Sequence, residues 1–345
     1  MYEKRATPTV SDVAEKSGLS ISTTSRVLSG ANYPVSEEAR RRVSVAAEVL
    51  GYYPKLSAQS SGRDVFVIIP SLSNPYYLAL ISGLEASLRL LNMNMILLNT
   101  HGKLEHEKKL LHQISHRPRV QLILSPVSDD VEHIRALISE RAEVVLLEQQ
   151  LPLDCMTVRF NYREGGKMAT WHLIERGHRR IGFVSSPLTK HSRREVYEGY
   201  LAALEKAGIV CENALILSSK DEVSYSSDLF EYENGTQQIR NMFVNKAKMP
   251  DAFFCANDIT AIGVLNELRQ HGINVPNDVS LIGFDNIPFS AMVSPALTTV
   301  DQCTYEMGTM AAEFLNGNLV NPLRKPVSVL LEPKLVKRES VADRV

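Results

Sequence analysis

The sequence lacks the features typical of membrane, secreted and metal-binding proteins. No apolar run approaches the roughly 18 residues that a membrane-spanning helix needs, and the polar start of the chain has no apolar stretch that would direct export. The four cysteines, Cys155, Cys211, Cys255 and Cys303, stand far apart, without the spacing of a zinc site or a disulfide framework. We therefore predict a cytoplasmic protein with no membrane partner, no metal site and no cofactor.

Motifs of the common enzyme classes are missing too. The chain has no GxGxxG after its first apolar run, no Walker A sequence, no GxSxG and no HExxH, and its nine histidines are dispersed. An enzyme is therefore not predicted.

What is present is enough sequence for several packed domains, with an uneven charge. Of 345 residues, 44% are apolar and 22% are charged, which is the balance of a globular protein. Residues 1–63 contain nine Lys or Arg against six Asp or Glu, although the whole chain carries a net charge of -1. A basic end suits a phosphate-binding element, although a solvated face would show the same excess.

Local signals near the start of the chain predict two short helices joined by a turn. Thr9 is suited to cap a first helix, Gly18 to end it with a positive φ, and Ser20 to cap a second helix. A third amphipathic helix is expected over 36–50. The arrangement is a helix-turn-helix, for which a plain structural bundle is the alternative.

The second of these helices carries small and polar side chains on its outer face. A helix that enters the major groove of DNA must be thin and must present groups that reach base edges, as Ser22, Thr23 and Arg26 can. Arg26 is the strongest candidate for a base contact, and a phosphate contact is its alternative.

The segments VSDVAEKSGLS, TTSRVLSG and SEEARRRVSVAAEVLGYYP resemble the opening of the LacI/GalR family of bacterial repressors. The resemblance implies sequence-specific binding to double-stranded operator DNA. Bases in the major groove would be contacted by Ile21, Ser22 and Arg26, and phosphates by Thr9, Thr23, Ser25 and Tyr52. Ser29 departs from the family, which usually has Asn at that position.

After Pro54 the family has a hinge that forms a short helix on DNA and inserts a small residue and a Leu into the minor groove. Ala58 matches the small residue, but Ser61 stands where the Leu should be. An apolar wedge offsets the cost of unstacking a base step, and serine cannot make that contact. We therefore expect a weaker kink, with a flexible Ser/Gly linker as the alternative.

From Val65 onward, apolar runs alternate with amphipathic helical stretches, and the pattern restarts after Asn161. This predicts a core of two doubly wound parallel α/β lobes that face each other across a cleft. The segments HLIERGHRRIGFV, FFCANDITAIGVL and VPNDVSLIGFDN resemble the same family, whose core is similar to periplasmic binding proteins. The resemblance implies a homodimer and this division: head 1–55, hinge 56–64, one lobe of 65–160 with 289–321, and a second of 161–288 with 322–345.

Polar residues at strand ends are the candidates for a ligand site. By the resemblance, Asn257 and Asp285 are direct contacts of a small-molecule effector, a sugar or related metabolite, whereas Asp258 caps its helix. Tyr76, Tyr77 and Phe230 match positions where relatives stack rings on their effector, although Tyr77 could also be ordinary lobe core.

Several positions depart from the family's ligand site. Relatives usually have an Arg where this chain has Val196, and Phe160 and Thr304 replace an Asp and an aromatic residue. Residues in the loop just before Val196 could supply hydrogen-bond donors instead, although a solvated loop would have the same composition. These residues are Lys190, Ser192, Arg193 and Arg194. These departures indicate an effector less polar than a typical sugar, or none.

Two other functions share parts of this pattern. A periplasmic-type sugar-binding protein would have the two lobes but would need an export signal in place of the first 55 residues. A DNA-binding protein whose core responds to a protein co-regulator is the second alternative. The hypothesis that we prefer is a dimer with two states, in which an effector bound in the cleft changes the spacing of the two DNA-binding heads.

Overall fold

The structure, a computed structural model, describes residues 8–28, 35–50, 63–117, 119–139, 142–219, 229–320 and 326–344. The chain divides into two compact units, Met1–Arg63 and Asp64–Val345. The boundary expected between head and hinge, after residue 55, falls outside the described residues.

The described part of the first unit contains three helices: α1 (Val10–Ser17), α2 (Ile21–Leu28) and α3 (Glu37–Leu50). Their apolar faces meet in a small core of Val13, Val43, Ala46 and Ala47. Fully burying a valine contributes about 1.5–3 kcal/mol, so a core of this size leaves the helices dependent on their end caps.

Local hydrogen bonds form these caps where the sequence predicted them. The Asp12 N–H donates to the Thr9 hydroxyl at 3.4 Å, and the Thr9 N–H donates back to the Asp12 carboxylate at 2.6 Å, which completes a capping box. Gly18 ends α1 with φ 64°, a left-handed conformation that favours glycine. The Thr23 N–H donates to the Ser20 hydroxyl at 3.1 Å at the start of α2.

The second unit begins with a lobe of alternating strands and helices. Its elements are β1 (Arg63–Ile69), α4 (Tyr76–Leu90), β2 (Met93–Asn99), α5 (Leu104–Ser115), β3 (Gln121–Leu124), α6 (Glu132–Ser139), β4 (Glu143–Glu148) and β5 (Met156–Phe160). Strand β1 pairs with β3, β3 with β4 and β4 with β5, all in parallel. Every residue of β3 is buried, as expected for a central strand covered on both faces.

A second lobe follows with the same alternation. Its elements are α7 (Tyr162–Glu175), β6 (Ile181–Ser185), α8 (His191–Lys206), β7 (Ile216–Ser218), α9 (Phe230–Val244), β8 (Ala252–Cys255), α10 (Asp258–Gln270) and β9 (Ser280–Ile282), with 3₁₀ turns at Asn213–Leu215 and Pro288–Ala291. The strands form a parallel sheet in the order β7-β6-β8-β9.

The last part of the chain returns to both lobes through β10 (Thr299–Asp301), α11 (Thr304–Val320), β11 (Ser328–Leu331) and β12 (Lys334–Val336). Strand β11 pairs in parallel with β5 and completes a six-stranded sheet in the order β11-β5-β4-β3-β1-β2. Strands β10 and β12 form a separate antiparallel pair, and β10 also bridges to Asp285 beyond the end of β9.

The chain crosses between the lobes three times, and two crossings differ from the sequence expectation. The first lies at Asn161, between β5 and α7, where it was expected. The second lies between Asp301 and Thr304 rather than near 288, because β10 still belongs to the second lobe. The third lies between β11 and β12 rather than near 321. The sequence shows that 328–331 is apolar, but only the pairing shows which sheet it joins.

Over the described ranges, no helix is both long and apolar enough to cross a membrane. In the same part of the chain, no group of three or more His, Cys, Asp and Glu side chains is placed to hold a metal ion. All four cysteines are free thiols.

Candidate functional site

Helix α2 presents a mostly polar face to solvent. Ser22, Ser25 and Arg26 are exposed, and Ile21 at the first position of the helix is 58% exposed. Thr23 is half-buried, and its hydroxyl lies 2.8 Å from the Ser20 hydroxyl. These side chains therefore stand on one accessible surface of a short helix, as a groove-binding element requires.

The remaining predicted DNA contacts divide into two groups. Thr9 is exposed, and its hydroxyl donates to the Asp12 carboxylate at 2.7 Å as part of the capping box. Tyr52 and Ala58, together with the hinge position Ser61, lie outside the described residues.

A cavity of about 670 Å³ lies between the two lobes of the second unit. Residues at or just beyond the carboxyl ends of the strands line it from both sides, including Pro70 and Glu148 from the first lobe and Asn257 and Asp285 from the second. This is where an open parallel α/β sheet places its ligands. Of the predicted effector contacts, the cavity is lined by Tyr76, Tyr77, Lys190, Ser192, Asn257 and Asp285.

Aromatic rings form much of the cavity's floor. Tyr76, Tyr77, Tyr162 and Phe284 all line it, and all four are buried. Tyr76 packs edge-on against Tyr77 with ring centroids 5.0 Å apart. Burial raises the pKa of the Tyr76 and Tyr162 hydroxyls well above the usual value, so both are neutral hydrogen-bonding groups near pH 7.

Glu148 ends β4 and brings a carboxylate to the cavity that sequence reasoning did not single out. The Ser125 hydroxyl donates to it, and burial raises its pKa despite that hydrogen bond and the nearby charge of Lys190. Its backbone has φ 72°, a conformation that strains a residue with a side chain. The apolar run EVVLLE, which ends in this glutamate, is the signal that could have identified it.

Asp285 faces the cavity from the other lobe. The Gln302 side-chain amide donates to its Oδ1 at 2.5 Å. Burial, together with the negative charge of Asp258, raises the pKa of Asp285 well above the usual value. Its φ of 121° strains a residue other than glycine.

The helix cap predicted at Asp258 is instead at Asn257, which also lines the cavity. The Asn257 side chain caps α10 by accepting the Thr260 N–H at 2.7 Å. Asp258 is fully buried and accepts from the Ile287 N–H at 3.0 Å and the Thr299 hydroxyl at 2.6 Å. Asp258 therefore ties β10 and the segment after β9 to α10, a role that depends on long-range packing.

Helix α8 supplies the cation that the sequence lacks at position 196. Ser192, Arg193 and Arg194 lie in the first turn of this helix rather than in a loop. Arg193 lines the cavity and forms an ion pair with Glu231 at the start of α9. Burial raises the pKa of Glu231, but Arg193 and hydrogen bonds outweigh burial, so the net shift is downward.

Close contact between α7 and α8 places Val196 against the cavity. A Cβ atom at Gly166 would lie 2.1 Å from the Val196 carbonyl oxygen, so only glycine allows this approach. Val196 is buried at the lining, and Arg193, about one helical turn earlier on α8, is a basic residue that also lines the cavity.

Arg194 and Phe230 do not line the cavity. Arg194 donates to the Asp129 carboxylate at 3.1 Å, and Asp129 is a lining residue of the opposite lobe. Phe230 is half-buried at the start of α9, and the lining residue is its neighbour Glu231. Adjacent residues of a helix point to different faces. The sequence alone does not determine which of two adjacent residues faces the cavity.

Residues 9–55 match the family described as bacterial regulatory proteins, lacI family, and residues 170–341 match a periplasmic binding protein-like domain. The HTH-type transcriptional repressor PurR of Proteus mirabilis is 30% identical over 343 residues, which cover 97% of each chain. The PurR of Aliivibrio salmonicida is 31% identical over 96% of this chain and 98% of its own. The chain belongs to the lacI family.

Solved structures of transcriptional regulators share the fold of this lacI-family protein. A complex of CelR with cellobiose is 26% identical and covers 96% of this chain and 99% of its own, with a TM-score of 0.68. GntR from Chromobacterium violaceum is 30% identical, with coverages of 81% and 99% and a TM-score of 0.70. The predicted helix-turn-helix head and two-lobed α/β core are therefore confirmed.

Family membership also confirms the predicted function of this lacI-family protein as a DNA-binding transcriptional regulator. The relatives are transcriptional repressors, a role that is not enzymatic. Cleft residues that sequence reasoning missed include Glu148, Tyr162, Glu231, Phe284 and Gln302. Glu148 is a polar residue at the end of a strand, so the rule that found Asp285 applies to it too. Gln302 carries no local signal.

Proposed function

We propose that this regulator binds a near-palindromic operator as a homodimer and that a small molecule in the interlobe cleft changes its affinity for DNA. The observation that carries the proposal is the lining of the cavity by both lobes, with Glu148 on one side and Asp285 on the other. A ligand in the cavity would contact both lobes when they are closed and only one lobe when they are open. Because the ligand would then bind the closed arrangement more tightly, its binding would shift the equilibrium towards that arrangement. Such a repressor acts in the cytoplasm, where the chromosome is.

The exposed residues of α2 are the proposed readers of the operator. Ile21, Ser22 and Arg26 would contact base edges, and Ser25 a phosphate. The hydroxyls of Thr9 and Thr23 already make hydrogen bonds within the helix caps, so they would contact phosphates as secondary partners. Tyr52 and Ala58 complete the proposed surface from the sequence resemblance.

The proposed effector contacts come from both lobes and from α8. Tyr76, Tyr77, Asn257 and Asp285 keep the roles expected from the sequence. Lys190, Ser192 and Arg193 supply the donors on the α8 side, with Arg193 in place of Arg194. A cavity of about 670 Å³ falls in the usual size range of small-molecule sites, and cellobiose bound to CelR supports a ligand of sugar size.

Two experiments test the proposal. Selection from random double-stranded DNA should yield a near-palindrome with half-sites about one helical turn apart, and a single asymmetric half-site would contradict the dimer. Titration of that operator with the protein, in the presence of sugars, nucleosides and nucleobases, should then show a change in DNA affinity. A ligand that stabilises the protein but leaves operator affinity unchanged would contradict the coupling between cleft and DNA.

A further inference from the structure

The floor of the cleft is rich in hydrogen-bond acceptors. Glu148 and Asp285 present carboxyl groups from opposite lobes to the same cavity. Gln302, which is 3% exposed, donates its amide to Asp285, and its Oε1 has no hydrogen-bond partner in the part of the chain that the structure describes. Hydrogen-bond donors on a ligand would satisfy these oxygens.

The charges around Asp285 are mainly negative. The ones that act most strongly on it are those of Asp258, Glu231 and Glu148, and each raises its pKa. Two cations of the lining act on other acids: Arg193 pairs with Glu231, and Lys190 favours the ionised forms of Glu148 and Glu231. The side-chain charges that act most strongly on Asp285 are therefore negative.

Aromatic rings and backbone strain lie at the same place. The rings of Tyr76, Tyr162 and Phe284 line the cavity beside the two carboxyl groups, and the faces of aromatic rings attract cations. Both Glu148 and Asp285 hold positive φ values, 72° and 121°. Such strain persists where the surrounding structure enforces it, commonly at ligand sites.

We propose that the floor of the cleft binds a protonated amine of the effector, held between Glu148 and Asp285. This inference rests on the proposed function of the cleft as an effector site. An ammonium group offers three donors and no acceptor, so it matches the carboxyl oxygens and the Gln302 Oε1. Its positive charge also favours the ionised form of both acids. Because the two carboxylates belong to different lobes, the amine would also hold the lobes together.

Matched pairs of amines and neutral compounds test the inference on the full-length protein. The probes are D-glucosamine and D-glucose, D-galactosamine and D-galactose, and benzylamine and benzyl alcohol, measured by calorimetry and thermal shift at pH 7. In at least one pair the amine should bind at least about tenfold more tightly than its neutral partner, which is a difference of about 1.4 kcal/mol. N-acetylation, which removes the charge, should abolish that preference for the amino sugars.

Isosteric variants locate the charge. Glu148→Gln and Asp285→Asn should each reduce the amine preference to within about threefold of the neutral compound, because each removes one carboxylate and keeps its shape. Glu198→Gln is the control, since Glu198 is an exposed acid on α8 that does not line the cavity, and it should retain the preference. Retained operator binding shows that each variant is folded.

The outcomes separate the inference from the proposed function. Equal binding within every pair, binding by neutral compounds alone, or an amine preference that survives both cavity variants would overturn the amine site and leave the effector cleft standing. If no compound of either series binds or changes operator affinity, the result counts against both.

Discussion

Helix α2 carries its exposed groups on eight consecutive residues, whereas the cleft gathers its lining from positions as distant as Pro70 and Gln302. The helix depends on caps formed within four residues, so its surface follows from local sequence. The cleft depends on strand ends meeting after both lobes have folded. A substitution at an exposed position of α2 should therefore act on DNA contacts alone, whereas one in the cleft should affect ligand binding and stability together.

The largest expected effect is at Asp285, where both properties should change. Asp285→Asn should weaken effector binding by about 2–5 kcal/mol, the usual cost of removing one partner of a buried charged contact. The same variant should keep or raise stability, because it removes a buried charge that Asp258 repels. Calorimetry with an effector found by screening, together with thermal unfolding, measures both.

The pH dependence of that variant follows from the direction of the shift. The pKa of Asp285 is raised on folding, so the unfolded chain loses this proton first and wild-type stability falls as pH rises from the unfolded value of 3.8 towards the folded one. The melting temperature of wild type relative to Asp285→Asn should therefore be lower at pH 7.5 than at pH 5. An unfolded or monomeric variant at both pH values would show instead that Asp285 is structural.

The next largest effect is expected at Arg26, on the exposed face of α2. Arg26→Ala should weaken operator binding by about 1–3 kcal/mol if the guanidinium reads a base, with little change in thermal stability, since Arg26 is exposed. Fluorescence anisotropy on operator and random DNA distinguishes the roles. Equal losses on the two DNAs would assign Arg26 to a phosphate, and Ser25→Ala serves as a variant of the same face with a smaller expected loss.

A smaller effect is expected in the hinge, where Ser61 stands in place of the leucine that wedges into DNA in the family. The operator should be bent only slightly, and Ser61→Leu should increase the bend and the preference for particular central base pairs. Inserting an apolar wedge trades a few kcal/mol of unstacking for apolar contact. Circular-permutation gel shifts measure the bend, and a sharp kink in the wild-type complex would assign the wedge to another residue, such as Leu56.

The smallest effect is expected at the ion pair between Arg194 and Asp129, which joins the lobes at partly exposed positions. Exposed pairs contribute about 0–1 kcal/mol, so Asp129→Asn should weaken effector binding less than about fivefold, and less at high salt. Titration at low and high salt measures this. A loss as large as that of Asp285→Asn would show that closure at this pair, rather than the floor of the cleft, dominates binding.

Part of the cleft was predictable from sequence, and the residues show which part. Asn257 and Asp285 follow apolar runs, and residues at the carboxyl ends of parallel strands meet at one edge. Arg194 and Phe230 were predicted to contact the effector, but they do not line the cavity. Each prediction depended on which face of a helix the side chain occupies, and this changes with the residue at which the helix begins. In both cases the lining side chain is the adjacent residue, Arg193 or Glu231.

The helix-turn-helix, the alternation of strands and helices, and the resemblance to the family could all be predicted from the sequence. The two structural features depend on hydrogen bonds within four residues, as at Thr9 and Gly18, or on the periodicity of apolar residues. Both of these signals are local, so they do not require distant segments to meet. Packing between distant segments sets which sheet β11 joins, that Asp258 is buried while Asn257 caps α10, and that Glu148 and Asp285 line the same cavity. Each depends on contacts between segments far apart in the chain, where burial and opposing charges, rather than local preference, set the outcome.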